Sequence, residues 1–309
     1  MILLKSLEKV FYYERIKYLL YLVEELLILQ LSYNRKMSST YIVSNVALLW
    51  MQQTMSYTLA TILVALATIS GVNMQSSMQT ALAQGLPLSS AACGQVVHGN
   101  VTLTANLVCT GDGLIVGGDN TTINLNGYSI TGPGDNSSKV GVAVPHSNSV
   151  VIQGSGAIRN FQAGVLITGS ENTNIHRVTL DGNKIAVFMT GSIGSTVEQN
   201  FIGPNTIGVA SHSSIGAQVH ANMMTGNDLA GVTLVNTDKS QVDANSIGGS
   251  RNGIFLDAQS TKNTILYNNV LKNDVDINNA DGLPLNINGN ELIKNNCFVS
   301  QPSGGCNPQ

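Results

Sequence analysis

Short runs of Val and Ile recur along the chain from about residue 93 onward, separated by Gly, Asn and Ser. Such β-branched runs between turn residues are typical of strands joined by tight turns. Six apolar runs open with Gly or Ala at intervals of 22 or 23 residues, at Gly141, Gly164, Ala186, Gly208, Gly231 and Gly253. Two or three strands in each unit of that length predict one coil of an all-β solenoid.

A second apolar landmark in each unit is followed three residues later by Asn. The pairs are Val197 and Asn200, Val219 and Asn222, Val242 and Asn245, Ile265 and Asn268, and Ile287 and Asn290. In stacked coils these asparagines would form one row, where each amide can donate to and accept from the next. We therefore expect a structural role for this row, and for a second row at Asn160, Asn183, Asn205 and Asn227.

The N-terminal part of the chain has a different composition. No charged side chain occurs between Lys36 and Asp112, and this stretch contains the apolar run Leu59–Ser70. The run has the length of the hydrophobic region of a signal peptide, and small residues precede a cleavage point after Ala83. We interpret residues 37–83 as a signal peptide, with an uncleaved N-terminal membrane anchor as the alternative.

Residues 1–36 fit neither interpretation, because Glu24 and Glu25 interrupt their apolar run. We interpret them as a mis-assigned or dispensable extension, which leaves residues 84–309 as a single β-helix domain. An export signal predicts an extracytoplasmic protein, either secreted or attached to the cell surface. Contact with a membrane is expected only through an uncleaved N-terminal segment.

Four cysteines lie in the predicted domain as two close pairs, Cys93 with Cys109 and Cys297 with Cys306. An even number of cysteines behind an export signal favours disulfides over a metal site, because no CxxC-like spacing is present. Three connectivities are possible. We prefer the local pairing Cys93–Cys109 and Cys297–Cys306, since each bond would then fasten one end of an elongated fold.

Charge is sparse in the predicted domain. From residue 84 onward there are 9 Lys and Arg against 14 Asp and Glu, which gives 9 − 14 = −5, beside 30 Gly and 30 Asn. No basic stripe is present, so nucleic acid is excluded as an expected partner.

The chain resembles the family of proteins with right-handed parallel β-helix repeats, which includes pectin lyase-like and other carbohydrate-active enzymes and the periplasmic protein NosD. The resemblance covers residues 91–298 and rests on the repeated Gly-Val and Val-x-x-Asn units and on four N-terminal segments: Ala92–Val96, Asn106–Cys109, Gly113–Leu114 and Thr122–Gly132. It implies a single-domain right-handed parallel β-helix. One fold hosts many functions, so it implies no particular activity.

The resemblance implies that an enzyme of this family would carry paired carboxylates, or a base beside a cation, on the outside of the coils. The segment Asn236–Asp238 matches the first element of a polygalacturonase-like site, but the other elements do not follow, and we expect Asp238 to be a turn residue. No cofactor and no metal site is identified, although the likeness to NosD raises copper handling as a question.

One polar row remains, because the residue after each second landmark is His176, Glu198, His220 or Asp243 in successive coils. Stacked coils would bring these acids and bases next to each other, either as a solvated ladder or as a catalytic proton-transfer site, a metal site or a saccharide-binding site. Arg177 and Lys184 are candidate partners for a substrate carboxylate. Tyr267 is a candidate stacking platform for a sugar ring, whereas Phe188 and Phe255 are expected in the core.

The residues leave open whether the protein is an enzyme. We prefer a secreted or surface-attached β-helix that binds polysaccharide or contributes to cell-surface structure. The alternative is a carbohydrate-active enzyme, namely a polysaccharide lyase, an epimerase or a glycoside hydrolase. A second alternative is periplasmic copper handling similar to that of NosD.

Overall fold

The computed structural model of the chain describes residues 91–280 and 285–306. The expected extension and the export segment lie outside the described residues. The described ranges contain 27 short β-strands and one 3-10 helix, and none of their helices is long and apolar enough to cross a membrane.

The first nine strands are β1 (Gln95–Val97), β2 (Asn100–Thr102), β3 (Leu107–Val108), β4 (Leu114–Val116), β5 (Thr122–Asn124), β6 (Ser129–Thr131), β7 (Val140–Pro145), β8 (Val151–Gln153) and β9 (Ala157–Arg159). The next nine are β10 (Ala163–Thr168), β11 (Asn174–His176), β12 (Thr179–Asp181), β13 (Ile185–Thr190), β14 (Thr196–Glu198), β15 (Phe201–Ile202), β16 (Ile207–His212), β17 (Gln218–His220) and β18 (Met223–Thr225). The last nine are β19 (Ala230–Val235), β20 (Gln241–Asp243), β21 (Ser246–Gly248), β22 (Asn252–Leu256), β23 (Thr264–Leu266), β24 (Asn269–Val270), β25 (Val275–Asn279), β26 (Glu291–Ile293) and β27 (Ser300–Gln301). The 3-10 helix, Leu285–Asn288, lies between β25 and β26.

The strands stack into three parallel sheets, and each complete coil contributes one strand to each sheet. Sheet A runs from β1 to β27, sheet B from β2 to β26, and sheet C from β3 to β24. The hydrogen-bonded neighbour of a strand is the third strand along the chain, except that β25 pairs with β27. The nine strands of sheet B correspond to nine coils. The predicted all-β, single-domain parallel β-helix of 22 to 23 residue coils is therefore confirmed.

The core is a column of Val, Ile and Leu side chains along the axis of the helix. In sheet A, Val142, Val165, Val187, Val209 and Val232 occupy equivalent positions in five successive coils, and all are fully buried. Their side chains point inward because alternate residues of a strand face opposite sides of the sheet. The apolar landmarks of the sequence are thus the interior positions of the coils.

Buried asparagines line the corner between sheets B and C. The Nδ2 atoms of Asn200, Asn222, Asn245 and Asn268 each donate to Oδ1 of the asparagine in the next coil at 3.0 Å. The acceptor for Asn268 is Asn295, so the expected place of Asn290 in this row is wrong. The last coil contains extra residues, including the 3-10 helix, which lengthens the spacing to 27 residues. Asn290 instead accepts from Asn263 at the corner between sheets A and B.

The second expected asparagine row is offset by one residue at its start. Asn183 donates to Oδ1 of Asn205, and Asn205 donates to Oδ1 of Asn227. The position before Asn183 in this row is Phe161, whose backbone N–H donates to Oδ1 of Asn183. Asn160 is exposed with φ of 61° and lies outside the row, because a large aromatic side chain fills the interior of that coil.

Both ends of the described solenoid are fastened by the expected disulfides. Cys93 is bonded to Cys109 and Cys297 to Cys306, with Cα atoms 5.5 Å and 5.2 Å apart. Cys109 and Cys297 are buried in the core at the two ends. Two disulfides are typical of proteins that fold in an oxidising compartment.

Candidate functional site

The four candidate residues lie on the outer face of sheet B in four consecutive coils. His176 ends β11, Glu198 ends β14, His220 ends β17 and Asp243 ends β20. The parallel register pairs His176 with Glu198, Glu198 with His220, and His220 with Asp243. Each side chain points outward because the preceding residue of its strand is fully buried. The register predicted from the sequence is therefore found in the structure.

Two hydrogen bonds organise this row. Nδ1 of His220 lies 2.7 Å from Oδ2 of Asp243, and Oε1 of Glu198 accepts from Nδ2 of Asn174 at 3.0 Å. The side chain of His220 is 42% exposed and that of Asp243 is 15% exposed. His220 and Asp243 thus form a hydrogen-bonded pair whose imidazole is accessible to solvent.

A second polar row runs beside the first, two residues earlier in each strand. Its members in the same four coils are Asn174, Thr196, Gln218 and Gln241, and Thr264 and Glu291 continue it. The sequence analysis missed this row, although its signal is the residue before each second apolar landmark. Across these four coils both rows consist of hydrogen-bonding side chains, over a length of about 14 Å at the usual strand spacing.

Two of the three candidate binding residues border this face. Arg177 follows His176 at the corner between sheets B and C, and its Nε donates to Oε1 of Gln199 at 3.3 Å. Tyr267 is exposed at the same corner, where Nζ of Lys294 lies 5.9 Å from the centre of its ring. It follows Leu266, which pairs with Asp243.

Lys184 lies away from the row. It is exposed at the corner between sheets C and A, directly before β13. Strand β12 of sheet C lies between Lys184 and β11, so nearness in sequence to His176 does not bring the two onto one face. Lys184 therefore does not share the outer face of sheet B with His176, and its candidate role as a partner for a substrate carboxylate stays a prediction.

The aromatic residues face several directions. Phe188 and Phe255 lie on the outer face of sheet A, half-buried between fully buried neighbours in their strands, so the expected core position is wrong for both. They share an outward position with Leu166, Ala210 and Thr233 of other coils. Asp238 lies between β19 and β20, and its Oδ1 accepts from the backbone N–H and the hydroxyl of Thr261 in the next coil at 2.9 Å and 2.8 Å.

Three stacked parallel sheets, a continuous apolar column and a polar outer face define the chain as a parallel β-helix repeat protein. It belongs to the NosD family: the family model described as periplasmic copper-binding protein (NosD) matches residues 99–305. A comparison with curated protein sequences finds no significant match.

Several solved structures have a similar fold. The A-module of a mannuronan C-5 epimerase from Azotobacter vinelandii is 14% identical, with a TM-score of 0.47, covering 68% of this chain and 76% of the module. Tailspike protein 2 of an Escherichia coli bacteriophage is 12% identical, with a TM-score of 0.46 and 68% of this chain covered. This chain spans only 33% of the tailspike protein. At these identities the similarity concerns the fold alone.

The donor side chains of the residues that the structure describes do not fit the copper implied by the family description. All four cysteines are in disulfides, and Met189 and Met224 are buried in the apolar core. No group of three His, Cys, Asp or Glu side chains within the described ranges could hold a metal ion. Copper sites in proteins draw on clustered imidazole, thiolate and thioether ligands.

Proposed function

We propose that this chain is an extracytoplasmic β-helix protein that binds a polysaccharide on the outer face of sheet B. The observation that carries the proposal is the pair of adjacent polar rows, with Asn174 and His176, Thr196 and Glu198, Gln218 and His220, and Gln241 and Asp243 in successive coils. Amide side chains offer both donors and acceptors, which suits the hydroxyl groups of sugars. A hydrogen-bonded solenoid also orders the backbone that carries these groups before binding, which lowers the entropic cost of association.

The charge of this face favours a neutral polysaccharide. Glu198 and Asp243 are the carboxylates of the two polar rows in these four coils, and the domain from residue 84 onward has 9 Lys and Arg against 14 Asp and Glu. Like charges brought together across an interface oppose binding. We expect weaker binding to polyuronates than to uncharged glycans of similar length.

A binding comparison of two double variants tests this function. Replacing Gln218 and Gln241 by Ala removes two side-chain hydrogen-bonding groups, each worth about 1 kcal/mol, and is expected to weaken binding about tenfold or more. The matched control replaces Thr179 and Ser246, on the outer face of sheet C, by Ala. Affinity is measured by calorimetry on a panel of neutral and acidic polysaccharides. An equal loss in both variants, or no binding by the wild type, would overturn the proposal.

A second candidate function is catalysis at the pair formed by His220 and Asp243. When Nδ1 carries the proton and donates to Asp243, Nε2 of His220 is left as a proton acceptor, the arrangement of an oriented general base. This would serve a lyase or an epimerase acting on a glycan. Product formation should then fall at least a hundredfold in His220→Ala, with little change in His176→Ala. No turnover by the wild-type protein would remove this candidate and leave the binding function in place.

The proposal includes export and cleavage after Ala83. Two disulfides support an oxidising compartment, and the family is described as periplasmic. Intact-mass and N-terminal sequence measurements on the protein from its natural source would show whether the mature chain begins at Gln84. Retention of residues 37–83 would favour the membrane anchor, and retention of residues 1–36 would contradict their interpretation as an extension.

A further inference from the structure

The sequence Asn-x-Ser/Thr occurs three times in the whole chain, at Asn100, Asn120 and Asn136. All three sites lie near the N-terminal end of the solenoid. Asn100 begins β2, Asn120 lies between β4 and β5, and Asn136 lies in the segment between β6 and β7. From β7 to the C-terminus the chain is rich in Asn, yet no Asn there has Ser or Thr two residues later.

The three asparagines differ from the buried rows in their surroundings. The side chains of Asn100, Asn120 and Asn136 belong to exposed residues. None of the three side-chain amides has a hydrogen-bond partner among the residues that the structure describes, whereas amides such as that of Asn222 are buried and bonded on both sides. An acceptor amide in this sequence must be accessible and free of competing bonds.

The hydroxyl groups two residues later share this state. Thr102 and Ser138 are exposed and Thr122 is half-buried, and within the described ranges none of these hydroxyls is hydrogen-bonded. At the second and third sites the intervening hydroxyl is the one that is bonded, since the hydroxyl of Thr121 donates to the carbonyl of Gly118 and that of Ser137 to the carbonyl of Gly134. Both parts of the acceptor sequence are therefore open at each site.

We infer that Asn100, Asn120 and Asn136 are N-glycosylation sites. The co-substrate is a glycan joined through its anomeric carbon to a lipid phosphate. Nδ2 of the asparagine attacks that carbon, a carbon–nitrogen bond forms, and the bond from the anomeric carbon to the phosphate oxygen breaks. The lipid phosphate leaves with the electron pair, and the amide loses one proton. The two disulfides are consistent with passage through the compartment where such glycans are transferred.

The positions give the glycans a physical role. Strand β2 is the N-terminal edge of sheet B among the described strands, and an exposed edge can pair with another chain. A glycan on Asn100 would cover that edge. Asn100 lies three coils before Asn174 in the same outer row, about 14 Å away at the usual strand spacing, so the glycan would leave the polar face of the later coils open.

Peptide mass spectrometry on the protein from the organism that encodes it tests the inference. Peptides that contain Asn100, Asn120 and Asn136 are expected to carry a hexose-containing mass increment on the asparagine. Variants are made at the hydroxyl, because Asn120 has φ of 54° and would be strained by most replacements. Thr102→Val, Thr122→Val and Ser138→Ala should each abolish the increment at one site only.

The matched controls are Thr102→Ser, Thr122→Ser and Ser138→Thr, which keep the hydroxyl and should keep the increment. Unmodified masses for all three peptides in the natural protein would overturn the inference. Increments that persist in the hydroxyl-free variants would also overturn it, because they would show attachment by other chemistry. The glycan-binding test of the sheet B face is independent of this result.

Discussion

Asn222 donates a hydrogen bond of 3.0 Å from its Nδ2 atom to Oδ1 of Asn245 in the next coil. The backbone N–H of Asn222 donates to the same oxygen at 2.9 Å, and its Nδ2 also donates to the carbonyl of Val197 at 2.8 Å. One buried amide thus joins three successive coils at the corner between sheets B and C. Buried turn groups would otherwise lack partners, which explains why the chain places Asn at this interval.

Replacing Asn222 by Ala should lower the free energy of unfolding by about 3 kcal/mol. The change removes the acceptor of the buried backbone N–H of Asn200, one of the two acceptors of its Nδ2, and a donor to the carbonyl of Val197. Urea unfolding followed by circular dichroism measures the effect. Ser246→Ala, at an exposed position of sheet C, is the control and should change stability by no more than about 0.5 kcal/mol. Equal effects in the two variants would contradict a structural role for the row.

Asp276 should control the stability of the last coil. This buried carboxylate accepts from the backbone N–H groups of Phe298 and Val299 at 2.8 Å and 3.1 Å, and from the backbone and side chain of Asn273. In Asp276→Asn, the NH2 group of the new side chain would face some of these N–H donors, and those hydrogen bonds would be lost. Hydrogen bonds to charged groups contribute about 1.5 to 3 kcal/mol, so the amides of Phe298 and Val299 should exchange with solvent about tenfold faster or more.

Asp274→Asn is the matched control, because Asp274 is exposed two residues away. In Asp274→Asn, the backbone amides of Phe298 and Val299 should exchange with solvent at the wild-type rate. Unchanged exchange in Asp276→Asn would show that other contacts hold the C-terminal coil.

The N-terminal disulfide should contribute measurably to stability. Cys93 and Cys109 are separated by 16 residues, and closing a loop of that length is worth about 3 kcal/mol in the chain-entropy account. The double variant with Ser at both positions should therefore unfold at a lower temperature than the wild type. A reductant should lower the melting temperature of the wild type by more than that of the variant. Identical melting temperatures for wild type and variant would contradict this prediction.

Copper should not stabilise this member of the NosD family. A ligand at a hundred times its dissociation constant adds about 2.7 kcal/mol to the stability of the folded state. Because the cysteines are oxidised and the histidines are dispersed along the solenoid, we expect no rise in melting temperature with copper and no stoichiometric copper in tag-free protein. Calorimetry and elemental analysis measure the two quantities. Stoichiometric copper retained through gel filtration would contradict the expectation.

The polar row of His176, Glu198, His220 and Asp243 shows which features of the structure the repeat interval predicts. The register of His176, Glu198, His220 and Asp243 follows from the intervals of the buried Val and Ile residues, because a parallel solenoid aligns equivalent positions of every coil. A constant period does not predict the position of Asn290, because the last coil is longer than the others. Phe188 and Phe255 lie outside the expected core, because the polarity of a side chain does not report which face of a half-buried strand it occupies.

The sequence by itself determined the architecture, since the spacing of Val, Ile, Gly and Asn specifies coils that bury one face of every strand. It left three disulfide connectivities open, and the structure forms the preferred local pairing. Only the tertiary structure decided which pairs in the polar row touch, with His220 bound to Asp243, and which residues join the face: Arg177 and the row of Gln218 and Gln241, but not Lys184. The reason is physical: side-chain contacts between coils depend on rotamers and corner geometry, which a repeat interval does not encode.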